Sequence, residues 1–503
     1  MPSPLAGETP ATGSFVVLMV RNEMANMKVR LGFVATHRFG FTPWCRRMRD
    51  ESLAALAGAP GVEVVAATPA PDDKALDAAN GMVPFGSVQT LDQADALAKY
   101  FARQDLDALV VCPLDFGDER AAAKAAERLR LPVFLYATKE PAADEGPSLS
   151  RVSDSYCGNL ALAAALHRRK VRFHFGGVFF PAEPELAAAL ADFVSAVSVG
   201  KGLLAARLGQ VGIRPPAFES VAYDEIAMAR RFGQNVICTA LSDILDAANA
   251  IPADSPALAE TLAQVRAAVA QVSVADDYLV KAARIEVALA DFCQQQGLSG
   301  LGVQCWPQTS GINLCAILGR LTERGWMAAC ETDILGVLSM IVSHRSVQGR
   351  TPPHLIDWTI QHRKEPNRVL AWHCGNAPAC LAADVARTAL RSREDMKGAL
   401  PARMGDVHAG LYQFQIRPGP VTLCRLAEYD GAWKMLIVRG RICPSSETLA
   451  GTWSWVEVAD HARLYRTLVE EGFIHHASMI HGDQAAALKL ACKLLDIQPV
   501  VVE

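Results

Sequence analysis

The chain has 503 residues, 51% of them apolar and 20% charged, and a formal net charge of −4. That length calls for roughly two to four domains, with enough apolar residues to fill sizeable cores. The near-neutral balance excludes a basic nucleic-acid surface, and no uninterrupted apolar run approaches the ~18 residues that span a membrane.

The thirteen cysteines form no CxxC pairs and often sit in apolar runs such as Val111-Cys112-Pro113. That is the usage of free thiols in a reducing compartment, so the expected location is the cytoplasm. Residues 1–26 are rich in Pro, Gly, Thr and Ala and read as a disordered extension, or as sequence upstream of a start at Met24 or Met27. Their short apolar stretch Phe15-Val16-Val17-Leu18-Met19-Val20 has no basic region before it, unlike a signal peptide.

Folded structure is expected from Met27. Strands are predicted at 27–34, 62–66, 108–112 and 132–136, with helices at 46–57, 92–104 and 119–129 between them. This alternation indicates an open parallel sheet, a first α/β domain over 27–165. The polar stretch Glu140 to Ser148 marks a plausible linker. A second α/β domain is expected over 166–350. Its predicted strands are 172–180, 236–240, 300–306 and 327–330. Its helices are 187–208, a long Ala-rich stretch 256–296 broken near Val272, and 312–324. Beyond residue 350 the pattern turns to short strands at 368–373, 419–428 and 433–441, and Tyr429-Asp430-Gly431 is a hairpin signal. The expected fold class is therefore α/β: two N-terminal Rossmann-like α/β domains followed by a C-terminal β-rich, barrel-like domain over 351–503. No GxGxxG, P-loop or GxSxG arrangement is present.

Four polar residues stand out in the last third. Glu331 follows Ala328-Ala329-Cys330, Asp357 lies in Leu355-Ile356-Asp357-Trp358, His373 in Ala371-Trp372-His373-Cys374, and His476 closes Phe473-Ile474-His475-His476. Buried charges require partners or a metal, and two carboxylates with two imidazoles suit a divalent ion such as Mn²⁺, with Co²⁺ or Mg²⁺ as substitutes. The spacing alone fits no local motif, and ordinary hydrogen bonds satisfying each group separately explain it equally well. Gln304 and Trp306 precede Glu331 on a predicted strand, placed to bind a sugar's hydroxyls and face. His37 and Arg38 end the first strand, where open α/β sheets gather ligands.

These segments resemble the L-fucose isomerase and L-arabinose isomerase superfamily. Ala329-Cys330-Glu331-Thr332-Asp333-Ile334-Leu335-Gly336 is similar to the segment with the family's metal-binding glutamate, and Leu355-Ile356-Asp357-Trp358 to that with its second carboxylate. His373 falls where arabinose isomerases place a ligand and fucose isomerases a non-ligand. His476 matches the last ligand, and Thr422-Leu423-Cys424-Arg425-Leu426 and Ile437-Val438-Arg439-Gly440 resemble intervening barrel strands. The resemblance covers roughly residues 295–503 and is slight before them, at Arg46-Arg47-Met48-Arg49-Asp50-Glu51-Ser52.

The resemblance implies a metal-dependent aldose–ketose isomerase working through a cis-enediol. Glu331 and Asp357 would be catalytic; together with His373 and His476 they would be the metal ligands. Gln304, Trp306 and Arg38 would contact substrate. It also implies a homo-oligomer, often a hexamer, with the active site near a subunit interface that His37, Arg38 or Trp44 would reach. The substrate stays open between a free sugar and a modified, sulfonated or acidic one such as sulfoquinovose. A non-catalytic sugar-binding protein is the reading from another class.

Overall fold

The computed structural model describes residues 27–38, 40–70, 75–141, 152–204, 206–305, 313–391 and 410–503. The expected extension 1–26, most of the expected linker and Trp306 lie outside them. The chain forms two compact units, residues 1–198 and 199–503.

In the first unit five parallel strands lie in the order Val62–Ala66, Val29–Thr36, Ala108–Pro113, Val133–Thr138 and Phe173–Phe179. The helices Pro43–Ala57, Leu91–Phe101, Glu119–Leu129 and Ser155–Arg168 connect them. Strands buried along their whole length, such as Ala108–Pro113 and Val133–Thr138, are what a doubly covered parallel sheet produces. The strand Phe173–Phe179 pairs with Val133–Thr138, so the first unit continues past the expected boundary at residue 165. The sheet order reverses between Val29–Thr36 and Ala108–Pro113, a topological switch point. There His37 is buried and meets Ser87 Oγ through Nδ1 at 3.0 Å, and the guanidinium of exposed Arg38 lies 4.5 Å from the centre of the Phe116 ring. Burial drives His37 down to about 4, so it is neutral near pH 7.

The helix Pro184–Leu203 is long and apolar enough to cross a membrane. Its run is broken by Asp192 and Lys201, and 61% of its most apolar window is buried, so it is a core helix.

Among its described residues the second unit holds two sheets. Four parallel strands run in the order Met327–Cys330, Gly300–Val303, Arg207–Val211 and Asn235–Thr239. The expectation of a helix to residue 208 is corrected here: the helix stops at Leu203 and the next strand is central. Gly209 hides that strand in the sequence. It contributes no apolar side chain because a Cβ there would meet Leu298 Cδ1 at 2.7 Å. The long Ala-rich stretch is two helices, Pro256–Ala267 and Asp276–Gln296, on either side of the short strand Gln271–Val272.

The second sheet of this unit closes on itself. Six antiparallel strands follow in a ring: Thr452–Val458, Arg368–His373, His354–Gln361, His476–His481, Gly419–Tyr429 and Ala432–Ile442, the last pairing back to the first. Strand alternation turns Val421, Leu423, Leu436, Val438, Val456, Ala477 and Met479 into one core. The predicted hairpin is present: Tyr429 pairs with Ala432, and Asp430 and Gly431 both have positive φ, as a two-residue turn of this hand requires.

The helix Ile334–Ser346 joins the parallel sheet to the barrel. It is apolar all round and buried along nearly its whole length, the pattern of a helix packed on every side. Its serines fasten it: Ser339 Oγ donates to Leu335 O and accepts from Leu426 N at 2.9 Å, and Ser478 Oγ lies 2.8 Å from Ser343 Oγ.

Candidate metal centre

Glu331, His373 and His476 stand at the ends of elements, and Asp357 lies within the strand His354–Gln361. Glu331 and Thr332 follow the strand Met327–Cys330 with φ of 60° and 52°. Two successive non-glycine residues in the left-handed region cost about 1–3 kcal/mol each, strain of a kind that clusters at functional sites. The turn has room because residue 302 is glycine: a Cβ there would stand 2.9 Å from the Thr332 carbonyl carbon. Asp333 then caps the helix Ile334–Ser346, accepting from Gly336 N at 2.9 Å.

Asp357 and His476 are direct partners on adjacent barrel strands, and the strand ending in His373 lies on the far side of Asp357. His476 Nε2 lies 3.3 Å from Asp357 Oδ1 and 3.5 Å from Glu331 Oε2. Its other nitrogen, Nδ1, meets Asp333 Oδ2 at 2.8 Å. Asp333 is also gripped at both oxygens by the buried guanidinium of Arg425, at 2.5 and 2.9 Å. Burial alone would raise the Asp333 carboxyl; Arg425 and then His476 outweigh it and hold it well below the usual carboxylate range. An ionised Asp333 accepts from Nδ1–H, so in the neutral ring Nε2 is a lone pair facing two carboxylates.

Three acceptors therefore converge with no hydrogen-bond donor among them. Asp357 Oδ1 is buried, and its approach to His476 lacks the alignment of a hydrogen bond. Such an arrangement is satisfied by a cation, and carboxylate behind imidazole is how metal-binding histidines are oriented. These residues fit a divalent ion. The side chains of Glu331 and Asp357 are 12% and 24% exposed against 1% for His476, so the pocket opens on the carboxylate side.

His373 lies deeper. Its Nε2 is 3.0 Å from Cys330 Sγ, and its ring centre is 6.0 Å from that of His476. Burial lowers its proton affinity, but the Asp357 carboxylate, ahead of Cys374 and Glu331, raises it to about 9. The amide of Cys374, 2.7 Å from Nδ1, acts the other way, favouring a neutral ring. At the rim, His475 Nε2 lies 3.9 Å from Glu331 Oε2, and burial followed by His476 lowers it to about 4.

Of the expected substrate contacts, Gln304 is buried and its Oε1 accepts from Ile213 N at 3.0 Å, which ties two strand ends together. Arg38 belongs to the first unit. Asp333, Arg425 and Cys330 were not singled out from sequence. The signal for Asp333 was a helix cap before an apolar run, which reads as local structure.

Known proteins match along both units. Residues 54–204 match the fucose/sulfoquinovose isomerase N-terminal domain, and residues 371–502 the L-fucose isomerase C-terminal domain. A sulfoquinovose isomerase of Alkalicoccus urumqiensis is 26% identical over 405 residues, 79% of this chain and 86% of that protein. One from Priestia aryabhattai is 24% identical over 84% of this chain and 91% of its own length, and one from Clostridium sp. (strain MSTE9) 23% over 78% and 86%.

Proposed function

The chain belongs to the fucose/sulfoquinovose isomerase family of aldose–ketose isomerases, and from that premise we propose that it interconverts a sulfonated aldose, sulfoquinovose, with its ketose. The reading as a non-catalytic sugar-binding protein is set aside with family membership. The observation that carries the chemistry is the convergence of Glu331 Oε2, Asp357 Oδ1 and His476 Nε2. The choice of sugar rests on relatives named sulfoquinovose isomerase that align along most of both chains.

In this reading Glu331, Asp357 and His476 hold Mn²⁺, which mixed oxygen and nitrogen donors suit, as they would Co²⁺ or Mg²⁺. When bound, the ion would supply Lewis acidity to the developing enediolate. Glu331 and Asp357 do the proton work of the cis-enediol route. One carboxylate takes the proton from C2 and returns it at C1, and the other moves a proton between O2 and O1. Asp333 and Arg425 fix His476 so that Nε2 stays aimed into the pocket. His373, expected as a fourth ligand, borders the pocket from the Cys330 side. Trp306 and Arg38 remain candidates for sugar contact, whereas Gln304 is engaged with the backbone. The protein acts in the cytoplasm as a homo-oligomer, a hexamer by family likeness, with its site near a subunit interface.

The test strips the protein with chelator, adds back Mn²⁺, Co²⁺, Mg²⁺ or Zn²⁺, and measures ketose from sulfoquinovose, L-fucose, L-arabinose and D-arabinose. Mn²⁺-restored turnover of sulfoquinovose above the others is expected. Turnover of L-fucose or L-arabinose instead returns the substrate to a free sugar, the reading favoured by the C-terminal domain match alone.

A further inference from the structure

The pocket has a second face, made of thiols. Cys330 ends the strand Met327–Cys330 and is fully buried; Cys305 lies two residues beyond Val303, the pairing partner of Cys330 in the neighbouring strand. Cys330 Sγ, His373 Nε2 and a ring nitrogen of His476 all lie within 4.8 Å of one another, as do donors of Cys305, Cys330 and Glu331. A tetrahedral ion with bonds of about 2.0–2.3 Å to nitrogen and sulfur places its donors roughly 3–4 Å apart. The 3.0 Å separation of Cys330 and His373 is therefore close to what such a site needs. All these donors stand on or just beyond strand ends; an ion at His373 Nε2 moves the ring proton to Nδ1, so the Cys374 amide that donates there has to turn away.

We propose that Cys330, His373 and His476, with Cys305 beside them, form a soft-cation subsite for Zn²⁺ or Cd²⁺. It overlaps the oxygen-lined position through His476. Thiolate and imidazole select these ions, whereas carboxylates select Mn²⁺ or Mg²⁺. Binding replaces the Cys330 S–H bond by a sulfur–metal bond and releases that proton to solvent; no electron moves. Because His476 serves both positions, a soft ion excludes the activating ion. The pocket thus accepts two classes of metal, of which one is inhibitory. Only the exclusion clause rests on the function proposed above; the thiol subsite stands on its own donors.

The test is titration of the full-length, chelator-stripped protein with Cd²⁺, following the ultraviolet thiolate-to-cadmium charge-transfer band. One tight Cd²⁺ per chain is expected, with the band lost and affinity lowered at least about tenfold in Cys330→Ser and in Cys330→Ala. Excess Mn²⁺ should shift the wild-type titration to higher Cd²⁺. The thermal melt of each metal-free variant establishes that it is folded, and Cys305→Ser provides a second, less buried probe of the same band. An unchanged band in folded Cys330 variants overturns the proposal, as does a wild-type protein with no tight Cd²⁺. Failure to isomerise any sugar leaves this readout untouched, so the two proposals fail separately.

Discussion

Asp333 shows how much of the site depends on a residue that touches no substrate. Its carboxylate faces Arg425, Gly336 N and His476 at once, and its two long-range partners are 92 and 143 residues away in sequence. Asp333→Asn keeps the helix cap but leaves Arg425 buried without a counter-charge, which costs about 3–5 kcal/mol. It also frees the His476 ring to turn. Mn²⁺ affinity is expected to fall about 10–100-fold, measured by calorimetry on protein shown to be folded by circular dichroism; unchanged affinity would remove the positioning role. Glu331→Gln preserves shape and the strained turn but removes one of the two carboxylates proposed to move protons. It should lower kcat about 10²–10⁴-fold with little change in thermal stability. The proposed ligands were legible as residue types in apolar surroundings; the anchor behind His476 was not, because only the tertiary fold brings Asp333, Arg425 and His476 together.

Among the elements, the strand Gly300–Val303 is the one that builds the turn at Glu331. Gly302→Ala would press a methyl group onto the Thr332 backbone. Activity should fall at least about tenfold while the melting temperature moves by only a few degrees, since the strand can stay paired and the turn gives way. Comparison of kcat with the unfolding midpoint decides between this and a general loss of packing. The same strand set shows where sequence patterns stop. The hairpin at Asp430-Gly431 announced itself through its turn residues, and the helix Glu119–Leu129 through its apolar stripe. Arg207–Val211 did not, because its central residue is a glycine demanded by its neighbours and its two apolar positions are too few to show a period. The strand His476–His481 begins where the sequence placed only an element end. Its pairing partners lie more than fifty residues away on either side.

For the whole molecule, buried neutral histidines make acid destabilising, and His354 in the barrel is shifted further than His37. His354 is fully buried, with Nε2 3.0 Å from Asn376 Oδ1, and burial lowers it from 6.5 to about 3. The folded chain keeps this ring neutral while the unfolded chain can protonate it. Its stability is therefore complete above the unfolded value of 6.5 and is lost progressively as pH falls toward 3. At pH 4.5 the loss amounts to about 3 kcal/mol. Urea unfolding of the metal-free protein at pH 7 and pH 4.5 measures it, and His354→Gln should lose about that much less between the two. An equal loss in both proteins would assign the acid sensitivity elsewhere.

The ring order of the barrel also sets a timetable. The strand His476–His481 is inserted between His354–Gln361 and Gly419–Tyr429, and it carries the imidazole of the pocket. A chain emerging from the ribosome can pair the hairpin of Gly419–Tyr429 and Ala432–Ile442 as soon as both are made. It cannot seal the ring until about residue 481 is free of the exit tunnel. Until then an edge on each side of the gap is open, and contacts across it span long loops that close slowly. The strand His476–His481 must therefore be made and free before the donors around Glu331 meet. A nascent chain short of that strand has no assembled pocket, so the ions proposed here could compete for it only once the ring is sealed.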